Sequence, residues 1–316
     1  MMNYKSVCVL FLSVCCSILN PLVGYGQNFT VIKSKQGVEI LEKGRKVLFY
    51  QQQPKSVDGK YERAGYVHPL YSLKENEITE ESHEPYHLYH RGVFWGWLQI
   101  VLHNKKVADG WTSQNISFDP AKVKVQQANK TITLQTEMLW KYLPEKKEPF
   151  AIVRENTNIT IHKSTAHYRA VDFDIRLYAL VDSLKIGGTD DIKGLGGFSM
   201  RLKLPDDISF SSKNGNVIPE ETAVDAGSWV DFKGSFDGKD TDKSGVAAFC
   251  NPYSPGGLQK WILRKKGSMQ NIAYPGRIPI AVSKKGLRLK YRLIIHDNTL
   301  SDAGLEKLYQ QYIRRT

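Results

Sequence analysis

This chain has few cysteines, few acidic residues and, beyond its first segment, no long apolar runs. Only one of its four cysteines, Cys250, lies after residue 16, so no intramolecular disulfide can form in the remainder of the chain. We expect Cys250 to be a small buried apolar residue rather than a catalytic thiol. A transmembrane helix needs about 20 consecutive apolar residues, and no stretch after residue 26 provides them.

The shortage of acidic residues leaves the chain basic. Lys and Arg number 44 against 32 Asp and Glu, which gives a formal net charge of +12. The basic residues are scattered along the sequence and belong to no nucleic-acid motif, so nucleic acid is not an expected partner. Solvated strand faces explain this scatter, and attraction to an anionic glycan or cell-surface polymer is the alternative.

The first 26 residues have the pattern of a secretory signal peptide. Lys5 is their only charged residue, a short apolar run follows it, and small residues stand before Gln27 at the two positions that a signal peptidase reads. We expect cleavage before Gln27 and a periplasmic or secreted protein with no membrane association after signal removal. A lipoprotein anchored through Cys15 or Cys16 is the alternative.

Alternating apolar and polar residues indicate strands throughout the rest of the chain. The predicted strands, separated by Gly, Pro and Asn turns, are 29–33, 38–41, 46–50, 123–126, 131–138, 151–162, 168–181, 198–204, 208–210, 229–232, 246–249 and 287–295. The pattern predicts one all-β domain over 27–316, a large two-sheet antiparallel β-sandwich, by analogy of the sugar-mutarotase type. A C-terminal helix is predicted from a Ser301 cap and helically spaced Leu305, Leu308, Tyr309 and Tyr312.

Histidine is concentrated in one segment. Five of the eight histidines lie there, namely His68, His83, His87, His90 and His103. Histidine transfers protons near neutral pH, and the arginine and tryptophans nearby bind anions and stack on flat rings. We expect His90 to be the acid/base residue, with His68 or Glu155 as its counterpart. Satisfied structural histidines are the alternative.

The other candidates are assigned to substrate binding. Cationic side chains would neutralise a carboxylate, sulfate or developing oxyanion: Arg91, Lys193, which lies in a Gly-rich loop, and Arg201. A tryptophan would stack on a sugar ring, and His87 would hydrogen-bond to substrate; the tryptophan candidates are Trp95, Trp97 and Trp261. Core packing is the alternative for tryptophans.

Metal and cofactor chemistry is not expected. The chain lacks the His-Glu-x-x-His signature and Cys/His ligand spacings, although a metal held by His68, His87 and His90 stays open. Asp172 and Asp174 alternate onto one strand face, which a solvated charged face explains as well as a site does.

Several of these motifs resemble one known family. The segments 63–71, 90–97, 109–111, 194–201 and 289–297 resemble the exported bacterial family labelled PmoA-like, or methane oxygenase. Members tend to occur beside sugar oxidoreductases and glycan-degrading enzymes, which implies carbohydrate metabolism, whereas the label implies a metal-dependent oxygenase. The family pattern is His-His-Arg-Gly, and this chain departs from it with Tyr89 before His90.

Together these patterns favour an exported carbohydrate-active enzyme. We expect it to act on a glycan fragment or modified sugar by hydrolysis, β-elimination or epimerisation, and the basic composition leaves an anionic sugar open. A non-catalytic glycan-binding β-sandwich is the first alternative, and a metal-dependent oxygenase is the more distant second alternative. The sequence leaves the sugar, the reaction and the oligomeric state open.

N-terminal sequencing of the exported protein tests the signal peptide. We expect the mature chain to begin at Gln27, because the small residues before it satisfy a signal peptidase. A mature chain that begins at a lipidated Cys15 or Cys16 would instead establish the membrane anchor.

Overall fold

The computed structural model describes residues 28–57, 59–81, 87–236, 243–255, 260–267 and 269–314. The segment expected to be a signal peptide, and His83, lie outside these ranges. Within them the chain forms 23 strands and one helix. They are β1 (Phe29–Lys33), β2 (Gly37–Glu42), β3 (Arg45–Gln51), β4 (Lys55–Val57), β5 (Lys60–Arg63), β6 (Tyr66–Leu70), β7 (Val93–Trp97), β8 (Gln99–Leu102), β9 (Lys105–Ala108), β10 (Ile116–Gln127), β11 (Thr131–Tyr142), β12 (Phe150–His162), β13 (Tyr168–Ala179), β14 (Leu184–Gly187), β15 (Gly196–Arg201), β16 (Ser209–Ser212), β17 (Gly215–Asn216), β18 (Trp229–Gly234), β19 (Ser244–Cys250), β20 (Lys260–Ile262), β21 (Met269–Ala273), β22 (Ile280–Ala281), β23 (Leu287–Asp297) and α1 (Asp302–Ile313).

The strands form two large antiparallel sheets. The first has the order β1-β2-β3-β6-β7-β15-β21-β20, and the second has the order β10-β11-β12-β13-β23-β19-β18-β16-β17. The remaining strands of the described residues form a small sheet, β22-β14-β8-β9, and the hairpin β4-β5. The predicted all-β sandwich is therefore confirmed.

Aromatic rings join the two sheets. Strand side chains alternate between faces, and in β7 the inward residues Trp95 and Trp97 enter the main core. The Trp95 ring lies parallel to that of Phe198 in the same sheet and edge-on to Phe173 of the second sheet. Phe198 in turn stacks on Tyr291 of the second sheet, with ring centroids 4.5 Å apart. This interlock fixes which face of each sheet is inside.

The predicted C-terminal helix is present, and it covers part of the outer face of the second sheet. Ser301 caps it by accepting a hydrogen bond from the Gly304 amide. Its buried residues pack on a separate apolar cluster that includes Trp229, Phe249 and Ile294. The buried helix residues are Leu305, Tyr309 and Tyr312. Among the described residues, no helix combines the length and apolarity that a membrane crossing requires.

The outward carboxylates of β13 form cross-strand ion pairs. Asp172 accepts hydrogen bonds from Arg292 of β23 and from His162 of β12. Asp174 accepts two from Arg288. The structure thus assigns these carboxylates to charged pairs on the sheet surface.

Gly92 determines how the histidine segment enters β7. It adopts a φ of +46°, and a Cβ there would stand 2.2 Å from the Val67 carbonyl oxygen. Its amide donates to the Glu80 carbonyl, and its own carbonyl accepts from the Arg201 amide at 2.7 Å. Only glycine allows this approach, because any side chain would collide with the β6 backbone.

Replacing Gly92 by alanine should therefore destabilise the fold more than the same change at an open site. Gly44 is the matched control, with a φ of +81° and no atom within 4 Å of an added Cβ. Both variants incur left-handed strain of about 1–2 kcal/mol, and Gly92→Ala adds overpacking of about 1–3 kcal/mol. Urea unfolding measures both, and equal losses would contradict the steric argument.

Candidate functional site

His90 lies on the outer side of the first sheet and is hydrogen-bonded to Arg201. Its Nδ1 stands 3.2 Å from Arg201 Nη1. A guanidinium has no acceptor, so Nδ1 must accept, and the proton of the neutral imidazole is then on Nε2. His90 is 6% exposed. The structure thus holds His90 as a hydrogen-bond donor through Nε2.

Burial and charge keep His90 neutral. Its pKa falls to about 3 because burial disfavours the imidazolium, and the nearby Arg201 and His87 lower it further. At neutral pH this imidazole is a weak base. It is well suited to donating a hydrogen bond from an uncharged ring, a role that neutral histidines play opposite oxygen atoms that gain negative charge.

Glu80 continues this chain of contacts. Its Oε1 accepts from Arg201 Nε at 2.9 Å, and its side chain is 32% exposed. Arg201 itself is almost fully buried. The line Glu80–Arg201–His90 therefore links a partly exposed carboxylate to a buried imidazole.

Aromatic rings surround His90. The His87 ring stacks on it with centroids 5.0 Å apart and planes 12° apart. Tyr89 and Trp111 meet it edge-on at 4.7 Å and 5.8 Å. His87 and Tyr89 are partly exposed, whereas Trp111 is buried. These rings, His90, Arg201 and Glu80 form what we call the outer-face cluster.

Tyr61 adds another ring beside Tyr89, and its backbone is strained. It adopts a φ of +53°, which is unusual for a bulky residue. Its ring meets Tyr89 edge-on at 5.4 Å. Arg91 holds this conformation, because its Nη2 donates to the Tyr61 carbonyl at 2.7 Å and its Nη1 donates to the Lys55 carbonyl. The Arg91 guanidinium, expected to bind a substrate anion, thus fastens the β4-β5 hairpin.

His68 belongs to a neighbouring polar group. Its Nδ1 is 3.0 Å from Thr79 Oγ1, and burial lowers its pKa against an opposing effect of Glu81. Burial alone raises the pKa of Glu81, but hydrogen bonds from Lys55 and Tyr66 outweigh it and lower the pKa below its ordinary value. Glu81 therefore stays ionised at neutral pH.

Glu155 lies in the interior of the sandwich, apart from the contacts of His90. Its carboxylate accepts from Trp140 Nε1 at 3.0 Å and from Thr157 Oγ1 at 2.9 Å. Burial raises its pKa, although hydrogen bonds from Trp95, Thr157 and Trp140 oppose the shift. The structure does not bring Glu155 to the outer-face cluster, since inward side chains of the first sheet contact it.

The candidate tryptophans are also in the interior. Trp95 is 3% exposed, and Trp97 and Trp261 are fully buried in the main core. The indole nitrogen of Trp97 donates to the Tyr274 carbonyl, and that of Trp261 donates to the Gly227 carbonyl. Their ring faces pack on protein and do not join the aromatic surface around His90.

Lys193 lies in a different concavity. It is exposed and lines a cavity of about 570 Å³ with Lys260 and Arg277. Of the cations proposed for substrate binding, the structure brings Arg201 alone into contact with His90 among the residues it describes. No group of three or more His, Cys, Asp or Glu side chains suited to a metal ion occurs in that part of the chain.

Sequence reasoning missed Glu80 and Tyr61, and it did not assign Trp111 to the site although the segment 109–111 is one of the motifs. Glu80 and Arg201 are 121 residues apart, and only the pairing of strands brings them together. The one local signal for Glu80 is its position inside the histidine-rich segment, between His68 and His83. Nothing in the sequence around Tyr61 indicates its left-handed backbone.

The free energy of unfolding should decrease as the pH is lowered, because His90 must take up a proton. Its folded pKa of about 3 lies below the value of about 6.5 for an unfolded histidine. The stabilisation is therefore complete above about pH 6.5 and is lost as the pH falls toward 3. Between about pH 7 and pH 5, wild type should lose about 2 kcal/mol more unfolding free energy than His90→Asn.

Urea unfolding at the two pH values measures this difference. Asparagine is a suitable replacement, because its Oδ1 can accept from Arg201 in place of Nδ1 but does not titrate. Equal losses of unfolding free energy in wild type and His90→Asn would show that the folded protein protonates His90 as readily as the unfolded chain does, which would contradict the lowered pKa.

One protein family includes this chain. The model of a family of unknown function (DUF6807) matches residues 37–310, which is nearly the whole chain and includes every residue of the outer-face cluster. The chain belongs to this family. No curated protein matches it.

Proposed function

We propose that this member of the DUF6807 family is an exported carbohydrate-active enzyme whose site is the outer-face cluster. The observation that carries the proposal is His90, a neutral imidazole whose tautomer is set by Arg201 beneath partly exposed His87 and Tyr89. Partly exposed rings are suited to packing on sugar faces. The resemblance to exported PmoA-like proteins supports a role in carbohydrate metabolism.

The cluster favours β-elimination or epimerisation. Both reactions remove a proton from a carbon next to a carbonyl or carboxylate, and negative charge develops on its oxygen. A neutral imidazole N–H backed by the Arg201 guanidinium stabilises that charge. A uronic acid or keto-sugar unit provides both the acidic carbon and the oxygen.

His87 is our choice for the residue that takes the proton. It is partly exposed and stacks on His90, so a sugar bound over His90 would also reach His87. Tyr89 is a poor base because burial raises the pKa of its phenol. In epimerisation a proton from solvent returns to the same carbon on the other face. In β-elimination the electron pair forms a C=C bond to the neighbouring carbon, the bond from that carbon to its oxygen breaks, and the leaving oxygen takes a proton from solvent.

Hydrolysis is less well supported. It ordinarily needs two carboxyl groups on either side of the glycosidic bond, one of them protonated through a raised pKa. Glu81 has a lowered pKa, and Glu155 is enclosed in the core. Glu80 is in an ion pair with Arg201.

A panel of uronic, keto-sugar, sulfated and neutral glycosides tests the proposal. We expect ultraviolet absorbance from an unsaturated uronate, or solvent deuterium at the abstracted carbon. His87→Gln and His90→Asn should each lower kcat by about 10²–10⁴-fold. His103→Gln is the matched control, because His103 is exposed on the β8-β9 turn, and it should keep full activity. Activity that survives both cluster variants would overturn the site.

A non-catalytic glycan-binding protein is the second candidate. The partly exposed rings of Tyr61, Tyr89 and His87 favour it, since such a surface binds sugars without proton transfer. Calorimetry distinguishes the two candidates. The binding protein would be established by saturable oligosaccharide binding that Tyr89→Ala abolishes and His90→Asn leaves unchanged, together with the absence of product from every glycoside.

A further inference from the structure

A cavity of about 510 Å³ lies where turns of the two sheets meet, and its residues are different from those of the outer-face cluster. It is lined by the β2-β3 turn, the β12-β13 turn, the start of β13 and the end of β23, together with the segment at Leu73. This volume is typical of small-ligand sites. Arg169, at the start of β13, is one of the lining residues.

Arg169 is buried with one donor group unpaired. It is 4% exposed, and its Nε and Nη2 both donate to the same oxygen of Glu42, at 3.2 Å and 3.1 Å. Its Nη1 is buried without a hydrogen-bond partner. A guanidinium in a purely structural pair would ordinarily use both carboxylate oxygens, but the second oxygen of Glu42 accepts from the Ser164 amide. An unpaired donor of this kind costs about 1–3 kcal/mol unless a ligand or water satisfies it.

The charges around the cavity favour an anion. Four cationic side chains line it, namely Lys43, Arg45, Lys74 and Arg169, against two carboxylates, Glu42 and Asp297. Both carboxylates have partners already, since Asp297 accepts from Thr299 and contacts His167. Glu75, the other carboxylate that acts on Arg169, accepts from the Lys46 amide. Lys43 and Arg45 are exposed at the rim.

We propose that this cavity binds an oxyanion, a sulfate or phosphate group, against the Arg169 guanidinium, with Lys43 and Arg45 at the rim. The buried guanidinium supplies a fixed donor, and the rim cations supply attraction. For an exported protein that acts on modified sugars, such a site would hold a sulfated or phosphorylated unit away from the reacting one.

Calorimetric titration with inorganic sulfate, and separately with inorganic phosphate, tests this site at ionic strength matched with chloride. We expect saturable binding and a rise in Tm that chloride does not produce. Arg45→Ala should weaken the Kd about two- to fivefold, as expected for a rim charge. Lys147→Ala, which removes one exposed positive charge outside the cavity, should leave the Kd unchanged.

The double variant Glu42→Met with Arg169→Met removes the buried guanidinium without leaving its partner charge unpaired. It should abolish saturable binding while keeping cooperative unfolding. If it does not fold, Lys43→Ala with Arg45→Ala decides instead. Unchanged Kd in whichever variant folds, or equal Tm shifts with sulfate and chloride, would overturn the proposal. Tighter binding of a sugar sulfate than of inorganic sulfate identifies a glycan source, and the reverse order identifies a free ion.

Discussion

The alternation of side chains along β7 is the constraint on which the arrangement depends. Because neighbouring residues of a strand face opposite ways, Trp95 and Trp97 lie between the sheets and Phe94 lies on the other side, in the cluster with Trp111. The inward rings interlock the two sheets, and the outward side supports His90. The core and the candidate site are therefore built on opposite faces of one strand.

Buried arginines have different roles in different parts of the sandwich. Arg63 donates to backbone carbonyls between the rings of Phe94 and Phe118, and burial lowers its pKa to about 10. Arg91 likewise serves the backbone, in the β4-β5 hairpin. Arg201 instead contacts a histidine and a carboxylate. The partners of each buried guanidinium therefore separate the framework arginines, which bond to the backbone, from Arg201 of the candidate site.

The sequence was sufficient to predict the all-β sandwich and the helix after Ser301, because both depend on local periodicity. It also pointed to His87, His90 and Arg201, which the structure brings into one cluster. It could not exclude Glu155, since which sheet face meets which is a property of long-range pairing. The roles of the tryptophans and of Arg91 could not be predicted for the same reason, because the sequence shows the chemistry of a side chain but not its neighbours in the fold.

The position of β23 has a consequence for how the protein is made. This strand comes late in the chain, yet it lies between β13 and β19 in the second sheet. Until the ribosome has released residues up to 297, β13 and β19 have no partner on that side, and both present open edges. The second sheet therefore closes only when β23 inserts between them. Before that step, the open edges of β13 and β19 are sites at which the chain can pair with another chain and aggregate.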